Sequence, residues 1–503
     1  MEYSGLIVVL QHPGFETRRL EDVCRLTVRQ QCSPPSFPSA SPPTLTGLTR
    51  RGDSSKEPCK GNVLKHTTST TDFGDWTTIE QLCDHVLGGR PAPEILQILK
   101  PLAVDRAEVR NFVHSAFRLM GIANLGAHNI SPWAAYGLAM AKGFLPGAWG
   151  GRIPPITAPG RHKTIDDYLA ATPWSAFGGS TVMIDLGCGF PPITAVEAAL
   201  RFPDWQIVGA DPSFDPYLLY DRDQSYACIG QSGSVGYFQL QPGAKITSME
   251  DYQRCRERIP VLFEHLLPKL PHDNGDMSSV EEDGSRLIRW PIRQWESSNL
   301  RMIQAGIGSE ALPSANVIRC FNVLIYYGAN FQREFETWAA GQLQERGLVI
   351  AGANLPNGTE AYYCVYRKEN DSLVAKEFAF SPDCVRPLSL MPWFALQDDN
   401  TMNLRLAGLI RRLRSDAEFC AALDARMDEI LHESGTLIRN ADGCLASPAV
   451  PAPMEKISQV LSALSAQLDR EGFTERAAEA LSRQGLRAWR NHVGHIAVDP
   501  AGL

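Results

Sequence analysis

Between Trp76 and about residue 145, apolar residues recur at three- and four-residue intervals. They are Ile79, Leu82, Cys83, Val86 and Leu87, then Ile95, Ile98 and Leu99, then Val109, Phe112, Val113, Ala116, Phe117 and Met120. That spacing lays an apolar stripe along each of several helices, with Pro91, Pro93 and Pro101 as breaks. From residue 180 the period changes, and short β-branched runs alternate with amphipathic stretches. The pattern predicts strands at 181–186, 206–210, 286–290, 316–321 and 347–352, and helices at 192–202, within 214–222, at 247–269 and at 329–345. This is the βαβ rhythm of a doubly wound parallel sheet. Two further runs, 361–367 and 373–380, are separated only by the turn-like Lys368-Glu369-Asn370-Asp371-Ser372, which predicts an antiparallel hairpin closing the sheet edge. Beyond residue 400 the helical spacing returns: Leu404, Leu406, Leu409, Ile410 and Leu413 oppose Arg405, Arg411, Arg412 and Arg414, read as a solvated face. A Pro/Ala linker at 447–453 precedes a last helical segment, 454–490.

The predicted fold is therefore α/β: a doubly wound, Rossmann-like sheet with a closing hairpin and helical additions at both ends. Residues 33–43 are dense in Ser and Pro and cannot bury enough apolar area to offset their ordering entropy, so 1–72 is expected to be disordered. The helical region then runs over 73–150, the α/β domain over 151–395 and the C-terminal helical region over 396–503. A Pro- and Gly-rich stretch at 149–179 reads as a loop over a neighbouring surface, and the acidic 271–285 as a solvated insertion.

With 503 residues, 44% hydrophobic and 21% charged, the chain is globular and longer than a single core usually supports. Its net charge of -8, with Lys and Arg spread along the chain, argues against nucleic-acid and membrane partners. The run from Leu6 to Leu10 is too short to span a bilayer and lacks the flanks of a signal peptide, so a cytoplasmic location is expected. Twelve cysteines include no Cys-x-x-Cys pair, which leaves no disulfide framework or zinc ribbon. His492 and His495 lack a third ligand nearby and read as an exposed terminal pair, and no metal is expected.

The strongest chemical signal is the run from Val182 to Pro192, an apolar strand ending in Asp185-Leu186-Gly187-Cys188-Gly189-Phe190 before a helix. Gly187 and Gly189 permit a tight turn and close backbone approach. A nicotinamide-dinucleotide fingerprint would need a third glycine where Pro192 stands, and no Walker loop follows. The next strand ends in Gly209-Ala210-Asp211-Pro212-Ser213, a second carboxylate 26 residues after Asp185, where an acid can accept hydrogen bonds from both hydroxyls of a ribose. Alone, the glycines fit a strand-to-helix turn with no ligand; paired with Asp211 they are more specific.

These two segments resemble the first two motifs of the class I S-adenosylmethionine-dependent methyltransferases, and the resemblance covers about residues 180–380. Within that family, residues 315–327 are similar to the fourth-strand segment of the chemotaxis-receptor glutamate methyltransferases, with departures at Asn316 and Phe321. The resemblance implies S-adenosyl-L-methionine as cofactor. It implies that Asp185, Gly187, Cys188 and Gly189 line its methionine and ribose, that Asp211 and Pro212 hold the ribose, and that Asn299 and Leu300, after the third strand, flank adenine. Phe321 would face the sulfonium, with Asn322 and Tyr326 as catalytic residues beside the incoming nucleophile. Asn322 is followed by Val-Leu-Ile and not by the Pro-Pro-Tyr of amine-methylating enzymes, which argues against an exocyclic amine and leaves oxygen, carboxylate, another nitrogen or carbon open; of these the expected acceptor is an oxygen or carboxylate of a small molecule or peptide. The helical flanks would shape the acceptor pocket and are candidates for a homo-oligomer or partner contact. The competing expectation is a non-catalytic scaffold that keeps the cofactor fold, a possibility raised by Pro191-Pro192.

Overall fold

The structure is a computed structural model and describes residues 76–154, 157–172, 181–241, 249–273, 275–450 and 452–502. The expected disorder of residues 1–72 lies outside them. The described residues open with helices α1 (Ile79–Leu87), α2 (Pro93–Leu99), α3 (Ala107–Ile122), α4 (Pro132–Ala139), α5 (Ala141–Phe144) and α6 (Lys163–Ala171). Their ends follow local rules. Thr78 and Gln81 form a capping box at the start of α1 and Gly88 closes it in the left-handed region, while the Ser131 side chain caps α4 with Pro132 in its first turn.

The principal sheet begins with β1 (Val182–Leu186), followed by α7 (Ile193–Arg201) and β2 (Gln206–Ala210). The segment that follows β2 departs from the expected pattern. Where a helix was expected within 214–222, β3 (Tyr217–Tyr220) starts a small antiparallel sheet with β4 (Tyr226–Ile229), β5 (Val235–Gln239), β6 (Ser278–Glu282) and β7 (Ser285–Arg289), ordered β5-β4-β3-β7-β6. The helix α8 (Met249–Leu266) packs on it through Ile259, Phe263 and Leu266. The strand expected at 286–290 is thus β7, paired antiparallel with β3 and β6 and not part of the parallel sheet. The expected solvated loop 271–285 contains β6, which turns into β7 through Asp283 and Gly284, both at positive φ as a two-residue hairpin requires.

The third parallel strand is β8 (Leu300–Ile303), paired with β2. The chain then crosses to the other side of β1 with β9 (Ala315–Phe321), α9 (Ala329–Gln342) and β10 (Leu343–Ala353). The hairpin β11 (Tyr362–Glu369) and β12 (Ser372–Phe380) is antiparallel, as expected. Helices α10 (Thr401–Arg414) and α11 (Ala417–Glu433), the two-residue strands β13 (Ile438–Arg439) and β14 (Leu445–Ala446), and helices α12 (Met454–Arg470) and α13 (Phe473–Arg483) follow. The last segment is not helical to residue 490. Its end forms β15 (Ala488–Arg490) and β16 (Ile496–Val498), and β16 pairs with β12. The full order is β15-β16-β12-β11-β10-β9-β1-β2-β8. Its parallel part, β8-β2-β1-β9-β10, is the doubly wound, Rossmann-like arrangement.

Each face of the sheet has its own core. On one, Ile184, Val208, Ile318 and Val349 join the flanking helices through Phe112, Phe117, Leu406 and Leu464. On the other, Met183, Ile207, Val317 and Ile350 join α6, α7 and the small sheet through Leu169, Ala198 and Leu218. Among the arginines expected on a solvated face, Arg411 and Arg412 are exposed, but Arg414 turns inward to Asp424 at 3.1 Å. His495 is buried, which corrects the expected exposed pair: its Nδ1 lies 3.3 Å from the Tyr363 hydroxyl, within a polar cluster that also holds Asn491 and Glu377. No helix among the described residues is long and apolar enough to cross a membrane.

Candidate functional site

The chain runs outward from β1 in both directions, through β2 to β8 and through β9 to β10. Between β1 and β9 lies the switch point, where the loops leaving the strands' carboxyl ends part and ligands of such sheets bind. Gly187 and Gly189 follow β1 with φ of +74° and +75°. A Cβ on Gly187 would come within 2.3 Å of the Val323 side chain, so the glycine lets the loop after β9 lie against the loop after β1. Asp211, at the end of β2, is buried and accepts hydrogen bonds from Gly189 N at 2.9 Å, from Ser213 N at 2.8 Å and from the Ser213 hydroxyl. Burial raises its carboxyl above the usual range. The two sequence motifs thus meet directly. Oδ2 of Asp211 receives the Gly189 bond, and a carboxylate oxygen can accept two.

Asp185 takes part differently. Its carboxylate accepts from Arg319 Nε at 2.9 Å and from the Thr194 hydroxyl at 2.8 Å, and Arg319 Nη2 lies 2.9 Å from its Oδ2. Arg319 is fully buried in the middle of β9, and it also pairs with Asp166 of α6 and donates to Thr194 O at 2.9 Å. Burial opposes its charge, yet the two carboxylates hold it well above its ordinary value. Burial, with Asp185 as a second acid, pushes Asp166 up to about 6. Asp185 therefore anchors the strand end from beneath the glycine turn. Sequence reasoning misses Arg319, although a cation between Ile318 and Cys320, inside an apolar run, is the available signal.

Phe321 ends β9 and packs against the His162 ring, with centroids 5.2 Å apart. His162 is 4% exposed, and neither of its ring nitrogens has a hydrogen-bond partner among the described residues. Burial, helped by Arg319 and Arg161, lowers its pKa well below the ordinary histidine value, so the imidazole is neutral. Asn322 follows at φ +58°. Its Oδ1 accepts from Asn354 N at 3.0 Å, and Asn354 Nδ2 donates to Arg161 O at 2.7 Å. Asn322, Tyr326 and Arg161 line one cavity of about 120 Å³ beneath the α4–α5 region and the 389–394 loop. Arg161 and His162 sit in the Pro- and Gly-rich stretch that the sequence assigned to a loop.

Asn299 and Leu300 are not at this site, which corrects their expected placement. β8 runs parallel to β2, so they stand at its amino end, across the sheet from the crevice. There Asn299 Nδ2 caps α7 by donating to Ala199 O and Phe202 O. The error follows from taking β7 for the third parallel strand. Cys188 is buried beside the glycines, and Pro212 O accepts from Gln304 Nε2 at 3.4 Å, from the chain that leaves the carboxyl end of β8.

No protein-family model and no curated protein matches the sequence. Among solved structures the chain is similar to an O-methyltransferase family protein from Burkholderia thailandensis, at 14% identity and a TM-score of 0.19, covering 52% of this chain and 48% of that one. It is also similar to the apo form of the S-adenosylmethionine-dependent methyltransferase SibL, at 12% identity and a TM-score of 0.20, covering 52% of this chain and 53% of that one. The chain thus spans about half the length of these structures. The Rossmann-like assignment stands on the strand order itself.

Proposed function

We propose that this chain is an S-adenosylmethionine-dependent methyltransferase acting on an oxygen or carboxylate of a small molecule. The observation that carries the proposal is the hydrogen bond from Gly189 N to Asp211 at the switch point, which joins a glycine turn to a strand-end acid. Asp211, with capacity left on Oδ2, and the turn at Gly187 and Gly189 would hold the cofactor, which when bound supplies a methyl group already activated on a sulfonium. What remains for the protein is to orient the acceptor and exclude water. Asn322 and Tyr326 would do this from the cavity wall.

Calorimetric titration of the full chain with S-adenosylmethionine tests the cofactor. Saturable binding is expected, lost in Gly187→Arg and weakened at least tenfold in Asp211→Asn. Unaltered binding in both variants would overturn the proposal. A second reading, a non-catalytic scaffold, is favoured by Asp185, whose carboxylate is taken up by Arg319 and Thr194. Incubation with methyl-labelled cofactor and fractionated extract separates the two: binding without transfer of label to any fraction supports the scaffold.

A further inference from the structure

The guanidinium of Arg319 grips both ends of the turn that joins β1 to α7. Before the turn, its Nε donates to Asp185 Oδ1 at 2.9 Å and its Nη2 lies 2.9 Å from Oδ2. After it, Nη2 donates to Thr194 O at 2.9 Å, in the first turn of α7. The Thr194 hydroxyl joins the two ends, donating to Asp185 Oδ2 at 2.8 Å and lying 3.4 Å from Cys188 O. All three side chains are buried. The segment held between these points carries Gly187 and Gly189, whose N–H must meet Asp211. A planar guanidinium fixes direction as well as distance, which a point charge does not. A turn fixed before its ligand arrives spares the binding step the cost of ordering it.

The remaining arm, Nη1, reaches Asp166 of α6. Arg319 meets Asp185 through two contacts, with Thr194 besides, but Asp166 through one, so Asp166 is the carboxyl that takes a proton first. Burial pushes it up to about 6. The charged groups acting on it are Arg319 of β9, Asp185 of β1, Glu197 of α7 and, on its own helix, Asp167, itself paired with Lys163 and Arg201. His162, which precedes the helix, is neutral. On protonation Asp166 gives up a charge-assisted bond to Arg319, roughly twice as strong as a neutral one.

We propose that Arg319, steered by Asp166, is a positioning residue for the cofactor: it fixes the turn from Asp185 to Thr194 in the form that receives S-adenosylmethionine, and a proton on Asp166 slackens it. The proposal rests on the methyltransferase reading above.

The test is calorimetric titration of the full chain between pH 5 and pH 7 with S-adenosylmethionine and, separately, with S-adenosylhomocysteine, whose sulfur is neutral. The α-amino and α-carboxyl groups of both ligands titrate outside that range, near 8 and 3.5. From pH 7 to pH 5 both affinities are expected to fall by the same factor, about threefold or more. Asp166→Asn is a neutral mimic of the protonated acid, so its affinity should be flat in pH and equal to the parent's at pH 5. Thr194→Val should weaken both ligands by about threefold or more at pH 7, and Thr194→Ser should bind as the parent does. Valine keeps the shape of threonine and serine keeps only its hydroxyl, so packing alone would give the reverse order. Affinity flat in pH for the parent, a profile unchanged in Asp166→Asn, or parent-like binding by Thr194→Val would each overturn the proposal. So would a fall confined to S-adenosylmethionine, which is an effect of charge on the sulfonium. The parent's profile does not depend on any variant folding. Absence of cofactor binding at pH 7 overturns both proposals, and binding that is flat in pH overturns this one alone.

Discussion

Arg319 stands in a strand whose every residue is buried, and its charge is tolerable there only because Asp185 and Asp166 both face it. Arg319→Met would leave two buried carboxylates without a cation and is expected to cost about 3–5 kcal/mol, measured by urea unfolding. Adding Asp166→Asn and Asp185→Asn should recover much of that loss, because the three groups form one unit. His162 is the opposite case, a buried ring with neither nitrogen bonded to any described residue, which lowers stability by about 1–3 kcal/mol per unsatisfied group. His162→Leu is therefore expected to match or exceed the parent protein in thermal midpoint. A destabilised variant would contradict that expectation.

At the scale of elements, the terminal hairpin β15–β16 has the largest consequence for a segment of its length. Ile496, Ala497 and Val498 are fully buried against β12, and Asn491 donates to Tyr363 and Glu377. Complete burial of an aliphatic side chain is worth about 1.5–3 kcal/mol. Ending the chain after Gly485 should thus cost on the order of 4 kcal/mol, read from the denaturation midpoint. A smaller loss would mean that β12 serves as well as a sheet edge. The same segment shows where periodicity misleads. Two three-residue strands are too short to register as period two, so 454–490 read as helix throughout, and the chain reversal at Gly494 became visible only through the pairing. The small sheet between β2 and β8 escaped for a related reason. Its strands β3, β4 and β5 are mostly buried on both sides, and such runs carry no alternation to distinguish strand from helix.

Across the whole molecule, stability should depend on pH through its buried ionisable groups. His495 is held down to about 4, below its unfolded value near 6.5, so the unfolded chain binds the extra proton and stability falls as pH drops from 6.5 towards 4. Glu360 is pushed up to about 8 by burial and by Asp383, and Asp383 and Asp166 to about 6. The folded chain keeps those protons longer than the unfolded one, so stability falls as pH rises from about 4 through 6 for the aspartates and through 8 for Glu360. A tenfold difference in proton affinity between the folded and the unfolded chain corresponds to about 1.4 kcal/mol. Between pH 6.5 and 8 Glu360 dominates. Its carboxyl accepts from Leu388 N, Ser389 N and the Ser389 hydroxyl, holding the loop beside the cavity. Glu360→Gln should leave stability near pH 5 little changed and flatten the decline between pH 6.5 and 8; an unchanged slope would assign that decline elsewhere.

Four of the five parallel strands, the hairpin and the two motifs at the ends of β1 and β2 were legible in the sequence alone, because each is written in neighbouring residues: a buried strand, two glycines, an acid. Asn322 and Tyr326 were legible in the same way, as residues just past a strand's carboxyl end, and they do meet in one cavity. Only the tertiary structure decided what those groups face. Asp185 turned to an arginine 134 residues away, Asn299 fell at the wrong end of its strand, Arg161 reached the cavity wall from a loop with no periodicity, and His162 came to lie against Phe321. The physical reason is common to all of them. A side chain's partners are set by which strands lie side by side and in which register, and pairings across a hundred residues leave no trace in local spacing.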